Sequence, residues 1–463
     1  MKKYIILIAI VVILIAAYLL FILWNPFQPS RTPEDILNEL YSKHPSPKVS
    51  EKGEPPIHII FVLHIEPCIG KSGYMYMKDS KTIQEYNRVK QELLWLTYFC
   101  SQKGVKMTAL FNGWYMQIAL RKNDLKHLTD FLKDGHEIGT HAHNICYDKL
   151  KDAWHHCNQP DRWFADAKKA VDDVLSKIGM GQNRVMSAMF IRGKYAQECS
   201  LMQKYGYDIG LGNRPEIALN YFGHVVWNPW RASCVNDYSS CLVEDHSTPF
   251  ISIDHRAQIG STTSHGGVDS RSNTLKRQFL MLFLEWKVRE AYDIEDKMWS
   301  WGVVHHPNYG SKYHNDIEDF FTWLNKYFVG KQTIKGNIIA VYSTASQIAD
   351  EYYSWEKKHP GRSSFSYMAG EEYPYYTEFA KNLLLNSEYN GEIQLTGNVI
   401  AFLLKNSKGY VIVLWNRGGG IKVVDLSKYF SGDVKLCTPW GNYVILKPDK
   451  IPVGDIPLIV VKS

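Results

Sequence analysis

Between Ile57 and about Tyr353 short apolar runs alternate with longer stretches of helical periodicity, and no other feature of the chain limits its fold so sharply. Ile57–Leu63, Val105–Phe111, Glu137–His143, Arg184–Ile191, Tyr207–Leu211, Phe250–Ile253, Trp301–His305 and Asn337–Tyr342 read as strands. Lys81–Ser101, Asp124–Lys133, Arg162–Ile178, Thr274–Ala291 and Ile317–Phe328 read as helices. Such alternation predicts a parallel sheet, either a barrel or doubly wound. In both, functional groups gather at the C-terminal ends of the strands.

The pattern changes on either side of this unit. Met1-Lys2-Lys3 precedes an unbroken apolar run from Tyr4 to Trp24, and about 20 apolar residues span a bilayer core. No small-residue cleavage site follows, so the run predicts an uncleaved anchor rather than a removed signal. The two lysines place its start on the cytoplasmic side and the rest of the chain outside. A stalk follows, with one short helix. Its signals are Thr32 as N-cap, Pro33 at the first helical position, Glu34 and Asp35 in the first turn, and an apolar stripe of Ile36, Leu37, Leu40 and Tyr41. His359 to about Lys381 is rich in Tyr, Gly and Pro and reads as a connector. Val399–Leu404, Tyr410–Trp415, Lys422–Leu426, Tyr443–Leu446 and Leu458–Val461 then read as short strands of an all-β sandwich. The expected division is an anchor over 1–24, a stalk over 25–56, an α/β unit over 57–357, a linker over 358–382 and a β-sandwich over 383–463.

Composition removes one class of partner. In 463 residues the net charge is only +6 and no dense Lys/Arg run occurs, so there is no electrostatic footprint for nucleic acid. Aromatics make up 13%, with 14 Trp and 29 Tyr, which suits either core packing or stacking on sugar rings. The eight cysteines permit disulfides in an oxidising compartment. Cys146 with Cys157, and Cys234 with Cys241, are close enough in sequence to close small loops; buried free thiols are the alternative.

Two segments carry candidate chemistry. Leu63-His64-Ile65-Glu66-Pro67 ends the first strand, and Gly135-His136-Glu137-Ile138-Gly139-Thr140-His141-Ala142-His143 ends the third. In an extended chain residues i and i+2 point the same way, so His64 converges with Glu66 and His141 with His143. Two imidazoles and a carboxylate match the three-ligand set of a catalytic zinc, which leaves a fourth position for water.

These segments resemble the polysaccharide deacetylase-like carbohydrate esterases, carbohydrate esterase family four, and within them the branch whose first motif is D-x-E and whose second is H-x-H. Phe190-Ile191-Arg192-Gly193-Lys194-Tyr195 resembles the family's third motif, Val304-His305-His306-Pro307 its last, and Tyr342-Ser343-Thr344-Ala345 the segment that closes its barrel. The resemblance spans about Ile57 to Tyr353 and implies a distorted (β/α)7-type barrel. It implies a divalent metal, Zn²⁺ above others, on Glu66, His141 and His143. It implies His306 as general acid or oxyanion stabiliser with His305 as the alternate, and Arg192, Lys194 and Trp230 on the substrate side. The position of the family's catalytic base is His64 here, which suits a base, a fourth ligand or a changed activity. Asp254-His255-Arg256 stands either for the family's charge-pair motif or for a surface turn.

The expected function is a membrane-anchored, extracytoplasmic, metal-dependent deacetylase of a polysaccharide or cell-surface glycan. Two alternatives stand beside it. Leu63-His64-Ile65-Glu66-Pro67 also resembles the first motif of family-57-type glycoside hydrolases, which need two carboxylates. A glycan-binding barrel without catalysis is the other.

Overall fold

The computed structural model describes residues 31–42, 55–69, 73–188, 195–211, 227–235, 244–255, 257–261, 269–292, 297–360 and 376–463. The segment expected to anchor the chain, 1–24, lies outside them, and among the described residues no helix is long and apolar enough to cross a membrane.

Nine parallel strands form the frame of the α/β unit: β1 (Ile57–Ile65), β2 (Met107–Phe111), β3 (Glu137–Ala142), β4 (Val185–Ala188), β5 (Ile209–Leu211), β6 (Ile251–Ile253), β7 (Ala257–Ser261), β8 (Trp299–His305) and β9 (Ala340–Tyr342). Hydrogen bonding runs β7–β8–β1–β2–β3–β4–β5–β6. The short strand Asp269–Ser270 pairs antiparallel outside β7, and β9 pairs with Ile57–Ile59 of β1. The sheet is therefore curled and open, with more strands than the seven expected. Eight of the nine match the runs read as strands in the sequence; the ninth is β7, which no helix separates from β6, so strand–helix alternation does not reveal it.

Strand β1 is buried along almost its whole length, as a parallel strand covered on both faces requires. Its alternation sorts residues into two cores. Ile57, Ile59, Phe61 and Leu63 face the surrounding helices. Ile60 and Val62 face the interior, with Leu110, Val185, Ile209, Leu211, Ile251, Ile253 and Val304 from the other strands. Helix Ala345–Lys358 fills the N-terminal end of that interior through Ile348, Ala349, Tyr352 and Trp355. Its first turn donates backbone N–H groups to Thr108 and Glu137. The N-terminal end of the curl is thus closed by a helix.

The two ends of the curl are joined by the chain itself. Only Asp254, His255 and residue 256 separate β6 from β7, and Asp254 and His255 are buried. Their backbone occupies the place a side chain on Gly302 of β8 would take: a Cβ there would meet Asp254 O and His255 Cβ at 2.5 Å each.

Beyond the α/β unit a six-stranded antiparallel sheet runs Glu388–Gln394, Val399–Asn406, Gly409–Asn416, Leu458–Lys462, Val434–Cys437, Tyr443–Leu446 in spatial order. One face packs Phe402 and Trp415 on Trp323, Phe283 and Phe328 of the α/β unit, so the two units share a core. The other face is covered by the ribbon of Lys422–Val424 with Ile451–Val453 and by the helix Pro33–Tyr41. That helix has the expected capping: Thr32 and Asp35 form a reciprocal box with Pro33 in the first turn. Its stripe of Ile36, Leu37 and Leu40 is buried against the β-domain. Two details differ from the sequence reading. Helix Glu378–Leu385 occupies part of the interval read as connector, anchored by Thr377 on the Glu285 carboxylate. Strand Glu388–Gln394 carries a register shift at Gly391 that breaks its alternation.

Gly302→Ala is expected to destabilise the protein by about 1–3 kcal/mol, the usual cost of overpacking. Thermal unfolding beside the wild type checks this; an unchanged midpoint would mean that the Asp254–His255 crossing yields without cost.

Candidate active site

The C-terminal ends of the strands hold a cluster of five imidazoles around one carboxylate. Alternation along β1 continues the interior row His58, Ile60, Val62 to His64, and Glu66 follows on the same side. Thr108 and Ser346 meet Glu137 from the interior, and the same parity along β3 brings His141 to the open end, with His143 just beyond. Along β8, Val304 faces the interior and Trp301 and Val303 the surrounding core, so His306 joins the cluster.

The Glu66 carboxylate is the hub. His141 Nε2 lies 3.1 Å from its Oε1 and His143 Nε2 2.8 Å from its Oε2. His306 Nε2 is 3.5 Å and His64 Nδ1 3.9 Å from Oε1. His64 turns its other nitrogen to His255, Nε2 to Nε2 at 3.0 Å. Its ring lies 4.4 Å from that of His141 and edge-on to His306 at 5.4 Å, between centroids. Burial alone would raise the Glu66 carboxyl, but the His141 charge and hydrogen bonds from His141, His143 and His306 outweigh it and hold it well below the usual range. Burial, reinforced by His141, His255 and His306, pushes His64 well below its ordinary value, so it is neutral. For His143 burial acts downward, and the Glu66 hydrogen bond and charge carry it above its ordinary value.

The backbones that bear these groups are clamped by side chains. Trp114 Nε1 donates to Glu66 O at 3.1 Å, and Glu66 N donates to Asn308 Oδ1 at 3.1 Å. Asn308 Nδ2 in turn donates to Glu85 Oε1 at 2.9 Å. Asn112 Nδ2 donates to His141 O at 3.0 Å. The loops after Glu66 and His143 form a small antiparallel sheet of Tyr74–Tyr76, Ala153–His156 and Ile145–Asp148. The disulfide Cys146–Cys157 lies within it. No motif in the sequence marks Asn112, Trp114 or Asn308 for this work; strand-end position is the one signal, and it applies to Asn112.

Several expectations are corrected. His305 is not in the site, because alternation along β8 turns it outward. It is fully buried, its Nδ1 donates to Ile259 O at 3.1 Å, and its Nε2 lies 4.0 Å from Glu92. Burial lowers its pKa to about 3. Trp230 is fully buried. Its backbone pairs with Ser252 and its ring packs in a core with Phe250 and Cys199, so it offers no face to a sugar. Trp114 and Trp301 are core residues as well. Cys234 pairs with Cys199, not with Cys241; Cys241 lies outside the described residues, as do Arg192 and Lys194. His255, read as part of a charge pair or a surface turn, does not lie in a surface turn: the Gly302 crossing buries it against His64, and residue 256 lies outside the described residues.

The donor set fits a divalent cation. His64, Glu66 and His141 each offer one ligand atom, all within 4.8 Å of one another, and His143 approaches the second carboxylate oxygen. One triple thus meets at Glu66 with His143 at the far oxygen of the carboxylate, and mixed imidazole–carboxylate sets suit zinc and its neighbours.

No protein-family model and no curated protein matches the chain. Solved structures do. A probable polysaccharide deacetylase from Pseudomonas aeruginosa matches at 12% identity over 66% of this chain and 93% of its own, TM-score 0.40. A family 4 carbohydrate esterase from Streptomyces lividans, solved with acetate, matches at 10% over 62% and 99%, TM-score 0.30. A third, described as a family 4 pseudoenzyme, matches at 11% over 70% and 75%, TM-score 0.30. These are members of the family that the motifs resemble.

The opposed shifts of Glu66 and His143 set a pH window for the metal-free protein. A lowered carboxylate stabilises above about pH 4.3 and loses its effect as acid reaches the lowered value; a raised histidine stabilises fully below about pH 6.5 and loses its effect as pH rises. His143→Asn is therefore expected to cost most stability in thermal unfolding at about pH 5.5, roughly 1.5 kcal/mol for a lost hydrogen bond between charged groups, and much less at about pH 9. A loss independent of pH would show that no ion pair is involved.

Proposed function

We propose that this chain is a metal-dependent hydrolase that removes acetyl groups from a polysaccharide or cell-surface glycan. The observation that carries the reading is the Glu66 carboxylate, just past the end of β1, gripped on its two oxygens by His141 and His143 from the end of β3. Glu66, His141 and His143 would hold the cation, zinc in the first instance. Bound there, it supplies Lewis-acid polarisation of the acyl carbonyl and a water of lowered pKa.

The chain's own residues do the rest. His64, neutral and directed by Nδ1 towards the Glu66 side of the cluster, takes the proton of the attacking water at that nitrogen. His306, on the next strand, delivers a proton to the departing amine or alcohol and offers an N–H to the charge that builds on the carbonyl oxygen. Trp114, Asn308 and Asn112 keep the carboxylate and His141 from swinging as charge moves. Arg192 and Lys194 follow from the third motif as substrate-side residues. A glycosidase reading requires a second carboxylate across the bond; among the described residues, the side chains meeting Glu66 are imidazoles, which favours hydrolysis at an acyl centre.

We further propose that the domains lie outside a membrane, anchored by residues 4–24. The two disulfides, Cys146–Cys157 and Cys199–Cys234, support an oxidising compartment.

Elemental analysis of the purified full-length protein, beside a His141→Ala, His143→Ala double variant, tests the centre together with acetate release from acetylated polysaccharides. Near-stoichiometric zinc that disappears in the double variant, with acetate released by the wild type alone, is the expected outcome. Zinc without acetate would point to a binding role, and no metal in either protein would overturn the centre.

A further inference from the structure

The imidazole of His255 meets that of His64 and no motif assigned it there. We propose that His255 is the positioning residue for His64: it accepts a hydrogen bond from His64 Nε2–H, which leaves the lone pair of Nδ1 directed to the Glu66 cluster. The inference rests on the hydrolase reading, since it gives His64 the tautomer a base at that place requires.

Two imidazole nitrogens 3.0 Å apart in hydrogen-bond geometry share one proton between them. Two bare lone pairs would repel, and two N–H groups would collide. One arrangement puts the hydrogen on His64 Nε2 and leaves Nδ1 bare. The other puts it on His255 and forces the His64 hydrogen onto Nδ1, 3.9 Å from Glu66 Oε1, beyond hydrogen-bond range. Glu66 is already engaged by His141 and His143 at shorter distances. A cation on those ligands would neutralise the one charge that favours an N–H at Nδ1. The first arrangement is the one that leaves Nδ1 bare on the side of the cluster where a base must take a proton.

The fold commits structure to this contact. His255 is buried and sits on the crossing from β6 to β7, where its Cα and Cβ fill the space that Gly302 leaves vacant. The ring of His64 is held on its other sides by His141 and His306. His255 thus fixes both the rotation of His64 and its tautomer, as second partners of functional histidines commonly do.

The test is long-range ¹H–¹⁵N NMR on zinc-loaded full-length protein labelled at histidine, with His64 assigned from a His64→Gln spectrum. Wild type should show His64 protonated at Nε2. His255→Gln, which keeps an acceptor near the same place, should retain that tautomer. His255→Met, similar in bulk but without the acceptor, should move His64 to a mixture or to Nδ1–H. Acetate release should fall on the order of 10- to 100-fold in His255→Met with zinc content unchanged, and His255→Gln should restore part of it. Zinc-loaded wild type with His64 protonated at Nδ1, or a His255→Met spectrum like wild type, overturns the inference alone. A second zinc bound between the two Nε2 atoms overturns it in favour of a cation subsite. Absence of zinc in the wild type overturns the hydrolase reading, whatever the tautomer.

Discussion

The parity of a single buried strand underlies the arrangement of this molecule. Along β1 the residues His58, Ile60, Val62 and His64 face the interior, while Ile57, Ile59, Phe61 and Leu63 face the helices. His58 meets Ser343 at the closed end, Nδ1 to Oγ at 2.8 Å, and His64 meets the cluster at the open end. Two apolar layers separate them. A slip of one residue would exchange these faces, placing imidazoles among the packed helices and branched aliphatics at the mouth. The five residues of β1 that pair with β2 and the seven that pair with β8 make such a slip cost the whole core.

The cluster is unusual in its balance of charge. One carboxylate serves several imidazoles, and burial together with His141, His255 and His306 suppresses the protonation of His64. Burial and this crowding keep it uncharged at neutral pH.

The fold was legible to the extent that it follows periodicity. Eight of the nine parallel strands and the long helices come from runs such as Ile57–Leu63 and Thr274–Ala291, where burial on both faces leaves an unmistakable apolar record. β7 was not legible, because Ala257–Ser261 is short and follows β6 with no helix between. In the site, the i, i+2 spacing of His64 with Glu66 and of His141 with His143 could be read directly. His305 and His306 could not be separated by a motif that spans both; only their opposite faces on β8 do that. His255 was hidden for another reason. Its place depends on the missing side chain of Gly302, 47 residues later in the chain, and no local pattern joins the two. Proximity in sequence paired Cys146 with Cys157 correctly but suggested Cys241 for Cys234, whereas the folded chain brings Cys199.

The docking of helix Pro33–Tyr41 on the β-domain has a bearing on how the molecule comes to be folded. Tyr41 donates to the carbonyl of Ile456, 415 residues away, and Ile36, Leu37 and Leu40 are buried beside Leu458 and Val460. The first of the described helices therefore waits for nearly the last strand. Its apolar stripe stays uncovered through almost the whole of translation, and closure of so long a loop comes late because its entropy must be met by contacts already made. The α/β unit, whose strands all precede the β-domain in the chain, can assemble before that. Its Phe283, Trp323 and Phe328 then offer the surface on which the six-stranded sheet settles, and burial of the N-terminal helix is the step that seals the molecule.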